Sequence, residues 1–177
     1  MRTLLDLPTA PAPEMFALPG LLAERLTPAD RHHLRRIDRE SAVMASMGGV
    51  RAPATTDAYL ERNLEHWVEH GFGIWMLRDP DSGALIGRAG LRHILVENAE
   101  EVELAYALLP EWWGRGLGTT AARACVTIAR EWIGLPSVVA LVLPDNHRSR
   151  RVLAKAALLP EREVIHAGAP HLLYRTD

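Results

Sequence analysis

Three glycines alternate in Gly114-Arg115-Gly116-Leu117-Gly118-Thr119-Thr120, where an apolar strand pattern gives way to a helical one. Residues without a Cβ let the backbone approach a ligand closely, and the free amides of a helix's first turn carry a partial positive charge. A phosphate group is the natural occupant. Thr119 and Thr120 add hydroxyl donors, and Arg115 adds a charge-assisted contact. Taken alone, the glycines serve equally well as a simple chain reversal. No Lys-Ser or Lys-Thr follows the last glycine, so this is not the phosphate loop of nucleoside triphosphatases, and the spacing differs from the dinucleotide fingerprint.

A second chemical segment is Asn146-His147-Arg148-Ser149-Arg150-Arg151, which follows a strand and opens a helix. Asn146 is by residue type a helix cap, and Ser149 stands one turn later. Arg148, Arg150 and Arg151 lie near a helix start, where the dipole disfavours cations. An anionic ligand relieves that cost, and a solvated charge run is the competing reading.

The elements that position these residues follow from periodicity. A short strand near Leu21 to Leu26 ends at Thr27-Pro28, a cap and first helical position, and that helix runs toward Glu40. After the Gly48-Gly49 break, a second cap at Thr55-Thr56-Asp57 opens an amphipathic helix carrying Tyr59, Leu60, Leu64, Trp67 and Val68 as far as Gly71. Strands over 74–77, 84–96 and 102–109 form a meander around the turns 79–83 and 97–100. A helix over 116–133, a strand over 138–143, a helix from Asn146 and two strands over 163–166 and 171–174 complete the chain. An antiparallel meander leading into a parallel crossover gives an α+β (α/β) fold with a mixed sheet.

Along the third meander strand, Glu101, Glu103, Ala105 and Ala107 share one face, and Val102, Leu104, Tyr106 and Leu108 share the other. The second face is expected to be core. On the first, two alanines leave room for a slender ligand whose reactive end Glu103 can reach, and a solvated strand carboxylate is the plainer reading of Glu103. His66 and His70 stand at i, i+4 with Glu65 and Glu69 adjacent, and because the two glutamates read more simply as a solvated helix face, no metal is expected there.

The 177 residues suit one domain, and the net charge of −2 gives no electrostatic footprint for nucleic acid. Cys125 is the single cysteine, which excludes an intrachain disulfide and makes a cytoplasmic setting the economical reading. Pro8, Pro11, Pro13 and Pro19 make the first 19 residues a poor helix and a poor strand, so an extended N-terminal arm is expected there. That stretch has neither the basic start of a secretory signal nor the long apolar run of a membrane span.

The run Glu103-Leu104-Ala105-Tyr106-Ala107-Leu108-Leu109-Pro110-Glu111-Trp112-Trp113-Gly114-Arg115-Gly116-Leu117-Gly118 resembles the coenzyme-A-binding motif of the GNAT acetyltransferases, in the branch of the ribosomal-protein N-terminal acetyltransferases. In that motif, Gln/Arg-x-x-Gly-x-Gly/Ala, Trp113 takes the first place and Gly116 and Gly118 match. Pro144-Asp145-Asn146-His147-Arg148-Ser149 resembles the family's Asn-x-x-Ser motif, and the likeness extends over about 21–174. Two departures stand out. Lys155-Ala156-Ala157-Leu158 replaces Lys-x-Gly-Phe, and Glu103-Leu104-Ala105-Tyr106 replaces Glu-x-Gly-Tyr.

The resemblance implies a GNAT domain over 20–177, with a mostly antiparallel mixed sheet flanked by helices, behind a Pro-rich extension over 1–19. It implies acetyl-CoA as cofactor, held by Leu108, Leu109, Trp113, Gly114, Arg115, Gly116, Leu117, Gly118, Thr119, Thr120, Asn146 and Arg148. Arg150 joins them as a phosphate contact. The implied reaction is direct attack of a primary amine on the thioester, with Glu103 accepting the proton and Ser149 donating toward the thiolate. The acceptor is a protein N-terminus or a small-molecule amine, met by a monomer or homodimer. A non-catalytic acyl-CoA-binding or protein-interaction module on the same fold is the alternative.

Overall fold

The computed structural model describes residues 10–177; the first nine residues of the expected N-terminal extension lie outside the described residues. One eight-stranded sheet, ordered β1-β2-β3-β4-β5-β6-β8-β7, forms the frame. Its strands are β1 (Met15–Leu18), β2 (Leu21–Arg25), β3 (Ile74–Arg78), β4 (Leu85–Val96), β5 (Ala99–Leu108), β6 (Val139–Val142), β7 (Leu158–His166) and β8 (Ala169–Thr176). The helices are α1 (Arg31–Arg39), α2 (Ser41–Met44), α3 (Pro53–His70), α4 (Leu117–Ile128) and α5 (His147–Lys155). Every pairing is antiparallel except β5 with β6, as the meander and the single crossover require.

Both faces of the sheet are covered. On one, Leu104 and Leu108 of β5 pack against Leu117, Ala121 and Cys125 of α4 and Leu153 of α5. On the other, Ile74, Met76 and Ala107 pack against Leu34 and Ile37 of α1 and Leu60 of α3. Fully burying such side chains contributes about 1.5–3 kcal/mol each. The face carrying Glu103 and Ala107 was expected to lie open to a ligand, but both residues are buried. The cause is that α1 and α3 need an apolar surface and take this one.

Four local expectations change in detail. Met15–Leu18 is a strand paired with β2, and Trp75 Nε1 donates to the Pro13 carbonyl, 2.9 Å away. The prolines do not interrupt the strand, because Pro13 precedes it and Pro19 follows it. The helix expected from Thr55 begins at Pro53, and the Thr56 hydroxyl instead donates to buried Asp38 at 2.8 Å. The 97–100 turn is tighter than expected, with only Glu97 and Asn98 at positive φ, 49° and 70°; this suits a two-residue hairpin. Strand β7 starts at Leu158 rather than 163, since its exposed Pro160-Glu161-Arg162 hides the strand pattern. The turn before it places Ala157 at φ 63°, where the related motif has glycine. For a residue with a Cβ this conformation costs about 1–2 kcal/mol.

Candidate functional site

The parallel pair β5–β6 sets the site's frame. The two strands share one register pair, Glu103 with Val139. Beyond it β5 continues along β4 to Leu108, and β6 continues along β8 to Val142. Leu109 N–H bonds the Ile86 carbonyl of β4 at 2.8 Å, so ladder alternation turns the N–H groups of Tyr106 and Leu108 the other way, toward the side β6 has left. The Leu108 carbonyl on that side accepts from Trp113 Nε1 at 2.7 Å. Among the described strands, none is registered against Leu104–Leu108 there.

The glycine turn sits at the end of this opening. Gly114 and Gly116 both have φ 77°, and a Cβ built on either would meet nothing within 4 Å. The positive φ requires glycine, and the empty surroundings show a turn open on its outer side. Gly116 is the N-cap of α4, so the free amides of the first turn face that space. Gly118 has no such requirement, because its added Cβ would sit 3.7 Å from Val152 in ordinary contact. The Thr120 hydroxyl turns back to the Gly116 carbonyl at 3.3 Å, which leaves the outward contact to Thr119 and the backbone.

Two tryptophans flank the turn and steady its arginines. The Arg115 guanidinium carbon lies 4.8 Å from the centre of the Trp112 ring, and that of Arg148 lies 3.9 Å from the centre of Trp113. Stacking of this kind contributes about 0.5–1 kcal/mol at exposed sites. Arg148 is thereby brought to the glycine turn from the first turn of α5. Arg150 is not. Its Nε donates to the Tyr174 hydroxyl at 3.2 Å and its Nη1 to the Pro144 carbonyl at 3.0 Å, which ties it to β8 and the loop before α5.

At the head of α5, Asn146 Oδ1 accepts from Ser149 N–H at 3.1 Å, the cap expected from its residue type. Ser149 Oγ then meets the Tyr106 hydroxyl at 2.6 Å. Burial pushes the Tyr106 phenol up to about 12, against the opposing effect of the Ser149 hydrogen bond, so it stays protonated. Tyr106 was assigned to the core by alternation. Half of that holds, since its ring packs on the α4 side, but its hydroxyl reaches the opening. The phenol at a core-facing position was the available signal.

Glu103 is 7% exposed. Its Oε2 accepts from Arg92 Nε at 2.8 Å and lies 2.7 Å from Arg92 Nη2, directly across the ladder. Because both arginine nitrogens take the same oxygen, Oε1 is outside the pair. Glu101, on the same face, forms a fork with Arg175 at 2.7 and 3.0 Å. The histidines carry a further surprise: His93 of β4 joins His66 and His70 of α3, and no spacing in the sequence links the three.

The lone parallel pair of this mixed sheet thus opens beside a glycine turn and a capped helix, a frame suited to a slender ligand that ends in phosphate. The description of the Acetyltransferase (GNAT) domain matches residues 21–158, and the chain belongs to that family. It is similar to the acetyltransferase from Agrobacterium tumefaciens str. C58, at 26% identity and a TM-score of 0.82, covering 92% of this chain and 94% of that one. The uncharacterised protein YkkB of Bacillus subtilis is 25% identical over 132 residues, 75% of this chain and 77% of YkkB. In fold it is also similar to aminoglycoside acetyltransferase AAC(6')-Ib, determined in complex with coenzyme A, at 17% identity and a TM-score of 0.71 over 88% of this chain and 94% of that one. Among the described residues no helix is long and apolar enough to cross a membrane.

Proposed function

We propose that the protein moves an acetyl group from acetyl-CoA to a primary amine, by direct attack of the amine on the thioester carbonyl. The observation that carries this reading is the alignment of three features along one opening: the glycine turn, the inward N–H of Leu108 and the Tyr106–Ser149 hydroxyl pair. The pyrophosphate takes the first-turn amides of α4 with Arg115 and Arg148 beside it, as anions do at helix starts. The pantetheine arm runs between β5 and β6, where its amides meet the unpaired backbone groups of β5 and the Asn146 end of α5. That the related aminoglycoside enzyme was captured with coenzyme A supports the cofactor.

In the reaction the amine nitrogen bonds to the carbonyl carbon, and the Leu108 N–H stabilises the charge that develops on oxygen. The C–S bond then breaks, and the leaving thiolate takes a proton from the Tyr106 phenol relayed through Ser149 Oγ, the pair being reprotonated from water as Glu103 gives up the amine's proton. The amine's proton passes to Glu103 Oε1, directly or through water. Each such transfer typically contributes about 10² to 10⁴ in rate. The acceptor is a protein N-terminus or a small amine. The likeness to the ribosomal-protein branch favours the peptide, and the segments 44–56 and 167–171 contain no acidic cluster suited to a polyamine.

The Arg92 clamp on Glu103 favours a second reading, in which the chain binds acyl-CoA without turning it over. Thiol release from acetyl-CoA, measured with a panel of peptide N-termini and small amines, separates the two. Amine-dependent release supports transfer; tight coenzyme A binding with no release from any acceptor supports the binding module.

A further inference from the structure

We propose that His66, His70 and His93 form a binding site for a zinc-class divalent metal ion, with a fourth position open to water. One nitrogen from each residue can be chosen so that all three lie within 4.8 Å of one another. The ring centres are 4.5 Å apart for His66–His70, 5.2 Å for His66–His93 and 4.2 Å for His70–His93. His66 and His70, at i and i+4, share a face in the last turn of α3, the spacing with which a helix presents two imidazoles to one ion. Strand β4 supplies the third. Three imidazoles with one open position are a common set for zinc, and imidazole also suits copper and nickel.

The tautomer of His66 is set by its surroundings. Its Nδ1 lies 2.8 Å from the Phe72 carbonyl, and since a carbonyl only accepts, Nδ1 carries the proton. The Nε2 lone pair therefore points into the cluster, where His93 Nδ1 lies 3.1 Å away. That separation is close to the roughly 3.3 Å edge of a tetrahedron with zinc–nitrogen bonds of about 2.0–2.1 Å. A backbone carbonyl bonded to the far nitrogen is the outer-shell partner that usually orients a ligating histidine. Nε2 accepts from the His93 backbone N–H, so it carries no proton and the ring is neutral, as a ligand must be. On binding, the Nε2 lone pair passes to the ion from the His93 backbone N–H, 3.1 Å away.

Charge and packing around the cluster suit the ion. Phe72, 3% exposed, walls one side, with its ring centre 5.0 Å from that of His66 and 5.4 Å from that of His93. Arg92 is the nearest cation along β4, and its ion pair with Glu103 offsets its charge. Glu69 holds a carboxylate 3.6 Å from His70 Nε2. The ion pins the end of α3 to β4, on elements separate from the glycine turn, so the site stands whether or not the chain transfers acetyl groups.

The test uses the full chain, free of any affinity tag and stripped with a chelator, titrated with Zn²⁺ against a chromophoric competitor and with Co²⁺ by visible absorption. The expected result is one ion per chain, with the visible bands of low-coordinate Co²⁺. His70→Gln and His93→Gln should each weaken Zn²⁺ binding at least about tenfold, the scale that even outer-shell partners reach, while His32→Gln leaves it unchanged. Circular dichroism and coenzyme A affinity confirm that the variants are folded. Absence of stoichiometric binding in the parent, or parental Zn²⁺ affinity in folded His70→Gln and His93→Gln, overturns the proposal.

Discussion

The Tyr106 hydroxyl and Ser149 Oγ meet at 2.6 Å across the opening between β5 and α5. Residues 43 positions apart thus form one donor unit. Held at about 12, the phenol keeps its proton across the working pH range. Ser149→Ala should lower kcat by about 10² or more, the order of one assisted proton transfer. Tyr106→Phe should lower it less. The double variant should lose little beyond Ser149→Ala, because groups acting as a unit are not additive. Steady-state kinetics of the three variants checks this, and full additivity would separate the two hydroxyls.

Gly116 and Gly118 should respond differently to a side chain. At φ 77° a residue with a Cβ costs about 1–2 kcal/mol, and Gly116→Val also fills the space assigned to the pyrophosphate. Coenzyme A affinity should fall severely, with a lower melting temperature. Gly118→Ala, with ordinary contact at 3.7 Å, should fold well and bind nearly as the parent does. Calorimetry and thermal melts on both variants are the measurement; unchanged affinity in folded Gly116→Val would move the phosphate site elsewhere.

The arginines of α5 divide by their partners. Arg148 is stacked on Trp113 beside the glycine turn, whereas Arg150 is committed to Tyr174 and Pro144. Arg148→Ala should weaken coenzyme A by roughly ten- to a hundredfold, the scale of the 1.5–3 kcal/mol of a charge-assisted bond, and leave a pantetheine lacking phosphates unaffected. Arg150→Ala should lower stability by about 1 kcal/mol with little change for either ligand. Equal losses on both ligands for Arg148→Ala would count against phosphate contact.

Glu103→Gln keeps size and removes basicity. Turnover at neutral pH should drop with little change in acetyl-CoA affinity, and the deficit should shrink at high pH, where the amine arrives deprotonated. Ser149→Ala should show no such recovery, since thiolate departure is still unaided. A pH series with one fixed amine decides it: parental rates for Glu103→Gln at every pH would leave its carboxylate only the structural pairing with Arg92.

His66 makes metal-free stability depend on pH. Burial lowers its pKa from 6.5 to about 4, opposed by the Phe72 carbonyl and helped by His70, His93 and Arg92. The folded value lies below the unfolded one, so between about pH 6.5 and 4 the unfolded chain binds more protons. Stability is therefore fully present above 6.5 and declines as pH falls toward 4. Urea midpoints of chelator-treated protein should decline over that range, and His66→Gln should decline less. Parallel curves for the two proteins would show that His66 does not titrate in this way.

Local chemistry made part of this molecule legible in its residues. The alternating glycines marked a helix start that needs positive φ, Asn146 marked a cap, and the change of period after Gly73 marked the meander, because each follows from backbone sterics or from side-chain spacing within a few residues. Long-range placement did not. The burial of the Glu103 face depended on where α1 and α3 would find apolar surface, and the Arg92 clamp depended on the β4–β5 register. The Tyr106–Ser149 pair, the separation of Arg148 from Arg150 and the meeting of His93 with His66 and His70 join residues on different elements. Their contacts are set by packing energies summed over the whole core, which no short stretch of the chain contains.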